Sequence, residues 1–372
     1  MIPVVLLLLA TPDAGRPAKA APEPSITVLF SGDVTLGFHY EEWVDQLIAK
    51  GTGKDAALGW GFDRVKARTT KADLFVANLE CPFTARGEKI PKNFNFRARP
   101  ELVAALAAGG VDVVSLANNH LMDYGPDGLA DTLETLRGAG ITAFGAGPTL
   151  EQARQGAVVT RNGVTIAFLG YFFLGDRNIE PKEVIAAGEA PGVAGHFSSV
   201  EELTEMLKAD IATAKTRAQV VIPFFHWGRE GRTQPEPYQV ALAHAAIDSG
   251  AAAVIGSHPH VLQGMEQYQG APIVYSLGNF VFGGNWDPKD KRTALVELTV
   301  TPRGVKAMTV LPAVSDHFPE APAQPELLEG DAGQAVLDHL RTISVPLGAV
   351  PLGLRQGKPL DQQVAHGADA GR

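Results

Sequence analysis

The chain has 372 residues, a formal charge of −9, 45% apolar and 20% charged residues, which suits one large or two ordinary packed domains and excludes a disordered chain. The acidic balance argues against a nucleic-acid binder, which needs a basic footprint. The single cysteine, Cys81, excludes an intramolecular disulfide and a thiolate-rich zinc module.

Ile2–Ala10 is an unbroken apolar run, shorter than the roughly 20 residues a bilayer span needs. Small residues follow and end in Ala18-Lys19-Ala20, the A-x-A shape of a signal peptidase site, although the n-region has no Lys or Arg. We read residues 1–20 as an export signal. Its removal takes Asp13, Arg16 and Lys19, a net +1, and leaves −10. No cysteine follows the run to carry a lipid. The expected location is the periplasm, the cell surface or the medium, with no stable membrane anchor after cleavage.

From Ile26 onward, strand-like runs alternate with helical stretches. Ile26–Ser31 ends in Gly32-Asp33, and Ala72–Ala77 ends in Asn78-Leu79-Glu80. Pro100 opens a helix through Ala108 that Gly109-Gly110 stops. Val111–Ala117 ends in Asn118-Asn119-His120, and Leu129, Leu133 and Leu136 mark a helix over 127–137 before the strand Ile141–Phe144. This rhythm implies parallel strands with crossover helices.

Asn162-Gly163 turns a hairpin between Ala157–Thr160 and Val164–Leu169. Ser199-x-x-Glu202 caps a helix running to Ala218. Val220–Phe225 ends in His226, Ala251–Ile255 ends in Gly256-Ser257-His258-Pro259-His260, with a helix over 238–249 between them, and Pro272–Leu277 ends in Gly278-Asn279. A second hairpin spans 293–311. We expect one α/β domain over 26–315, with two packed mixed sheets and helices outside. Residues 316–372 form a C-terminal extension, partly loop-like, with one helix near 332–342.

Asp33, Asn78 with Glu80, Asn119 with His120, His226, His258 with His260, and Asn279 each follow an apolar run. In parallel α/β sheets the carboxyl ends of strands gather on one edge, where ligands bind. Nitrogen and oxygen ligands without thiolate suit a divalent cation such as Zn, Mn or Fe, one ion or two. A lone histidine after a strand is ordinarily a hydrogen-bonding loop residue, the reading kept for His39, His196, His244, His317, His339 and His366.

The segments Gly32-Asp33-Val34-Thr35-Leu36-Gly37, Ala77-Asn78-Leu79-Glu80, Ser115-Leu116-Ala117-Asn118-Asn119-His120, Phe225-His226-Trp227-Gly228, Gly256-Ser257-His258-Pro259-His260 and Ser276-Leu277-Gly278-Asn279-Phe280 resemble, in order, the motifs of the CapA (PgsA) family of poly-γ-glutamate capsule synthesis proteins. That family resembles the calcineurin-like metallophosphoesterases. The resemblance implies a four-layer α/β/β/α sandwich. It implies Asp33, His226, His258 and His260 as first metal ligands, Glu80 and Asn119 as second choices, and His120 as catalytic acid beside Asp33. Thr35 and Asn78 depart from the metallophosphoesterase pattern, the first replacing a histidine and the second a bridging aspartate. A single or weakened two-metal site follows.

Two functions remain open beside the plain reading of a structural envelope protein with an unused ancestral site. One is hydrolysis of a phosphoester or an amide by metal-activated water. The other is non-catalytic binding of a growing anionic polymer, alongside capsule synthesis machinery. A polyanion needs local positive charge. Arg86, Lys89, Lys92, Arg97 and Arg99 cluster between Glu80 and Pro100, where Phe94 and Phe96 suggest a short strand; Arg229 follows His226. Asn78, Arg97, Arg99, Arg229 and Asn279 are the expected substrate contacts. Asp123-Tyr124-Gly125 is expected to orient His120.

Overall fold

A computed structural model describes residues 23–348 except Trp286. Its strands, in chain order, begin with β1 (Ile26–Thr35), β2 (Leu74–Leu79), β3 (Val113–Ser115), β4 (Thr142–Phe144) and the two-residue β5 (Ala146–Gly147). They continue with the hairpin β6 (Ala157–Arg161) and β7 (Val164–Phe173), the two-residue β8 (Gly192–Val193), β9 (Val220–Trp227) and β10 (Val254–Ser257). Last come β11 (Met265–Tyr268), β12 (Ala271–Val274), β13 (Asn279–Phe282), β14 (Arg292–Thr301), β15 (Gly304–Val314) and β16 (Glu326–Leu327).

Among the described residues the fold is α/β, with two mixed sheets and a two-stranded pair of β5 with β8. The first runs β16-β15-β14-β1-β2-β3-β4, with β13 also paired to β1. Its β1 to β4 are parallel, and the hairpin partners at the other end are antiparallel. The second runs β11-β12-β10-β9-β7-β6, with a parallel centre and antiparallel edges.

Strand alternation sorts the side chains into cores. Ile26, Val28 and Phe30 of β1 share one buried cluster with Ile166 and Phe168 of β7 and Val220, Ile222 and Phe224 of β9, so faces of the two sheets meet there. Leu29, Phe75 and Val114 point the other way, onto Phe62, Leu102, Leu106 and Leu129 of the helical segments. Leu169 and Tyr171 of β7 and Val221 and Phe225 of β9 pack against Leu203, Leu207 and Ile211 of helix Val200–Ala214 and Leu242 and Ala246 of helix Pro237–Asp248. Each fully buried aliphatic or aromatic side chain contributes about 1.5–3 kcal/mol.

Local signals act as their chemistry dictates. Ser199 Oγ accepts from Glu202 N at 3.1 Å and starts its helix, which ends at Ala214, four residues before the expected Ala218. Asn162 and Gly163 adopt φ of 46° and 81°, the turn that joins β6 to β7. Other expectations need correction. β1 continues past Ser31 to Thr35, because a register shift between Phe30 and Asp33 lets its end pair with β13. The segment around Phe94 and Phe96 is not a strand; Phe96 N donates to Asp123 Oδ2 at 2.6 Å instead. Helix His39–Ala49 and strands β11 and β13 were not legible as such.

Within residues 316–348, β16 extends the first sheet, and Val336, Leu337, Leu340 and Ile343 of helix Gly330–Ser344 join the core between the sheets. The expected export signal, His366 and the rest of the extension lie outside the described residues. Among those described, no helix is long and apolar enough to cross a membrane.

Register prepares the site. Asn279, Asp33, Asn78 and Ser115 stand opposite one another across β13, β1, β2 and β3. His226 stands opposite Ser257 across β9 and β10. Gly32 is required by close approach: a Cβ there would sit 1.8 Å from the Gly278 carbonyl oxygen. That approach lets Asp33 N donate to the same oxygen at 3.0 Å.

Candidate functional site

The carboxyl ends of β1 and β2 meet those of β9 and β10 in one buried polar cluster. Asp33, Asn78, Glu80 and His226 are fully buried, and Asn119 and His258 nearly so. Asp33 Oδ2 accepts from His258 N at 3.3 Å, which ties the two sheets at this point. Asn78 Nδ2 donates to Asp33 Oδ1 at 2.8 Å and fixes that carboxylate. Asn118 Oδ1 accepts from His120 N and Leu121 N, both at 3.0 Å, and so shapes the loop after β3.

Among the described residues, two sets of side chains offer metal-ligand atoms all within 4.8 Å of one another: Glu80, His226 and His258; and Asp33, Glu80 and His260. Glu80 belongs to both. Both of its oxygens are buried without a hydrogen-bond partner. Burial first, then the neighbouring Asp33 charge, pushes its carboxyl well above the usual carboxylate range. A buried orphan carboxylate is costly unless a cation meets it.

The spacing fits such an ion. Two ligands about 2.1 Å from one tetrahedral cation stand about 3.4 Å apart. His226 Nε2 lies 3.0 Å from His258 Nδ1 and 3.6 Å from Glu80 Oε1. Ser257 Oγ, 3.1 Å from His226 Nδ1, can accept a hydrogen bond from that nitrogen's N–H, which leaves Nε2 free to ligate. His260 Nδ1 lies 3.4 Å from Asp33 Oδ2. Burial pulls this imidazole down, but Glu80 and Asp33 together outweigh it and push it up to about 10. Burial, then the neighbouring His258 and His260, hold His226 well below the ordinary histidine value. Asn119 Oδ1 is 2.9 Å from His226 Nε2 and faces the same centre.

His120 stands at the rim. Its Nδ1 is 2.7 Å from Asp123 Oδ2, and its ring lies against Phe96 with centroids 4.2 Å apart. Burial lowers its pKa, while the Asp123 hydrogen bond and charge oppose that. Two clefts reach the cluster. One, of about 410 Å³, touches Asn119 and His258 and carries Arg177 and Arg229. The other, of about 810 Å³, touches His120, His260 and Asn279 and carries Lys289. Glu230 lines both.

The structure thus brings together Asp33, Asn78, Glu80, Asn119, His226, His258 and His260, with His120, Asn279 and Arg229 around them. It does not bring in the two loop arginines. Arg97 is exposed over the Tyr124 ring, 4.4 Å from its centroid. Arg99 pairs with Glu41 at 3.0 Å and Asp45 at 2.7 Å, and Arg86 with Asp131. His39, His196, His244 and His317 each pair with a glutamate elsewhere. Sequence reading missed Glu180, Ser257 and the inward course of Lys92. Only Ser257, inside its motif, carried a signal.

Fold and site define an α/β protein with a histidine and carboxylate centre at its strand ends. The chain belongs to the bacterial capsule synthesis protein family (PGA_cap), whose profile matches residues 27–284 and so every residue of the centre. It is 32% identical to the capsule biosynthesis protein CapA of Bacillus anthracis over 323 residues, 83% of this chain and 73% of that one. It is 31% identical to the PGA biosynthesis protein CapA of Bacillus subtilis (strain 168) over 336 residues, 88% of this chain and 83% of that one. A probable polyglutamine synthesis accessory protein of Mycobacterium tuberculosis is 34% identical over 224 residues, 60% of this chain and 59% of that one.

Proposed function

We propose that this chain is an exported protein acting in synthesis or export of an anionic envelope polymer of the poly-γ-glutamate kind, and that its strand-end centre is a metal-dependent hydrolase site. The observation that carries the hydrolytic part is Glu80, a doubly orphaned buried carboxylate within ligand distance of three imidazoles. The polymer part rests on family membership and on what the curated relatives are named for. The three cores, one between the sheets and one outside each, support a four-layer α/β/β/α sandwich of the metallophosphatase type.

One or two divalent cations, Zn, Mn or Fe, held by Glu80, His226 and His258 with Asn119 and by Asp33, Glu80 and His260, would polarise a phosphoryl or acyl oxygen and acidify water. His120 is the general acid: Asp123 holds Nδ1, and Nε2 is left to protonate the departing oxygen or nitrogen. An extended chain lying through both clefts would cross the centre, with Arg177 and Arg229 on one side and Lys289 on the other to meet its carboxylates or phosphates. The protein's other partners would be the capsule synthesis machinery.

A non-catalytic polymer binder is the second reading. It is favoured by Asn78, whose amide donates to Asp33 where a bridging carboxylate would neutralise a second cation. Metal analysis of the purified chain, followed by a panel of phosphoesters and γ-glutamyl peptides, decides between them. Stoichiometric metal with turnover is expected. Polymer binding without metal or turnover would leave the binder.

A further inference from the structure

Lys92 comes from the surface loop before Pro100, yet its side chain is only 6% exposed. Its ammonium lies 2.9 Å from Asp123 Oδ1 and 2.9 Å from Glu180 Oε2, and donates to the Asn119 carbonyl at 2.8 Å. A lysine is buried this deeply only where its charge is met.

Each of the two carboxylates has a second task. Asp123 Oδ2 holds His120 Nδ1 at 2.7 Å and accepts from Phe96 N at 2.6 Å. Glu180 Oε1 accepts from Asn119 Nδ2 at 3.1 Å. With Nδ2 so engaged, the Asn119 amide can turn only its oxygen toward His226, at 2.9 Å. One ammonium is therefore the counter-ion of both groups that orient the rim of the centre.

We propose that Lys92 is a positioning residue that sets the His120 ring and the Asn119 amide in one arrangement, by fastening loop 175–181 and its own loop to loop 119–123. The clamp stands on these contacts alone; its effect on turnover rests on the hydrolytic reading above. Without the ammonium, Glu180 loses the cation it faces, and Asp123 is left with His120. Asp123 keeps Phe96 N and His120, so the loop of Glu180 is the one that leaves. Ile179, 81% exposed beside it, offers no burial to hold it.

The test is hydrogen exchange on the full-length Lys92→Met chain, with Lys89→Met, an exposed lysine of the same loop, as control. Amides of both 119–123 and 175–181 should exchange about tenfold faster or more, with β9 and β10 unchanged. Acceleration confined to 88–96, or shared by Lys89→Met, overturns the clamp. If Lys92→Met does not fold, Glu180→Gln keeps the shape, removes one charge and should still loosen 119–123; unchanged exchange there overturns it equally.

A second readout separates positioning from support. On phosphate monoesters, Lys92→Met should lose far more kcat with an alkyl leaving group than with nitrophenyl, because only the former needs a proton from His120, while KM changes little. Equal losses on both would refute the link to His120. Absence of turnover in the unmodified chain removes the hydrolytic reading and leaves the exchange result to decide the clamp.

Discussion

The two sheets bring different chemistry to their shared edge. The first supplies oxygen, from Asp33, Glu80 and Asn119; the second supplies nitrogen, from His226, His258 and His260. They are also held differently. On the oxygen side, side-chain amides do the holding, as Asn78 does for Asp33 and Asn118 for the loop of His120. On the nitrogen side Ser257 Oγ meets His226 Nδ1 and Asn279 Oδ1 meets His260 Nδ1, and the backbone itself takes a rare conformation. His258 and His260 adopt φ of 99° and 57°, a region that non-glycine residues enter at a cost of about 1–3 kcal/mol and mostly at functional sites. Neither half is a site alone. Both are organised to face a charge that each can only partly satisfy.

The sharpest break in that division is His258→Ala, which removes a nitrogen ligand and leaves the oxygens in place. Metal affinity should fall by more than the roughly 10–100-fold that losing a ligand's hydrogen-bond partner costs, read by titration of the metal-free chain, and hydrolysis should fall with it. His258→Gly should lose the metal equally. It should unfold about 1 kcal/mol later than His258→Ala, because glycine accepts the positive φ without strain. Equal stability of the two would show that the backbone of this half is not strained.

His120→Gln tests the rim rather than the ligands. It should cost about 10²–10⁴ in kcat on esters of poor leaving groups while metal content stays unchanged. Asp123→Asn should follow in the same direction, since the amide cannot hold a protonated ring as the carboxylate does. Loss of metal in either variant would place His120 among the ligands instead.

Glu80→Gln separates the two halves thermodynamically. In a chelator the variant should be about 1–2 kcal/mol more stable than the unmodified chain, because it removes a buried carboxylate that accepts no hydrogen bond. In saturating metal the order should reverse, because only the carboxylate gains from the ion. Urea melts in both conditions measure this directly. A variant less stable in chelator would mean that Glu80 serves the fold.

Much of this edge was legible because parallel strands convert sequence motifs into positions. Once Asp33 and Asn78 each end an apolar run, parallel register places them side by side, as it does His226 and Ser257 in the other sheet. What was not legible depends on long-range pairing. β1 continues through Asp33 with β2 on one side and β13 on the other, the latter arriving from 246 residues downstream, counted from Asp33 to Asn279. Glu180 and Lys92 sit in loops without periodicity, and only the packed structure shows them meeting at Asn119. The basic stretch from Arg86 to Arg99 read as a single patch, but local acids divide it. Arg86 and Arg99 turn to aspartates on neighbouring helices, and Lys92 turns inward.

The smallest expected effects test that last division. Arg99→Ala should change stability by no more than about 1 kcal/mol, since its pairs with Glu41 and Asp45 are partly exposed and screened. It should leave retention of an anionic polymer unchanged, because its charge is already met and lies away from both clefts. Arg229→Ala, in the cleft beside His258, should weaken retention several-fold at low salt and progressively less as salt rises. The comparison is informative because the two substitutions remove the same charge from the same chain. A difference between them cannot come from net charge and has to come from place. Equal weakening by both would return the loop of Arg99 to the binding surface and move the polymer's path off the shared edge.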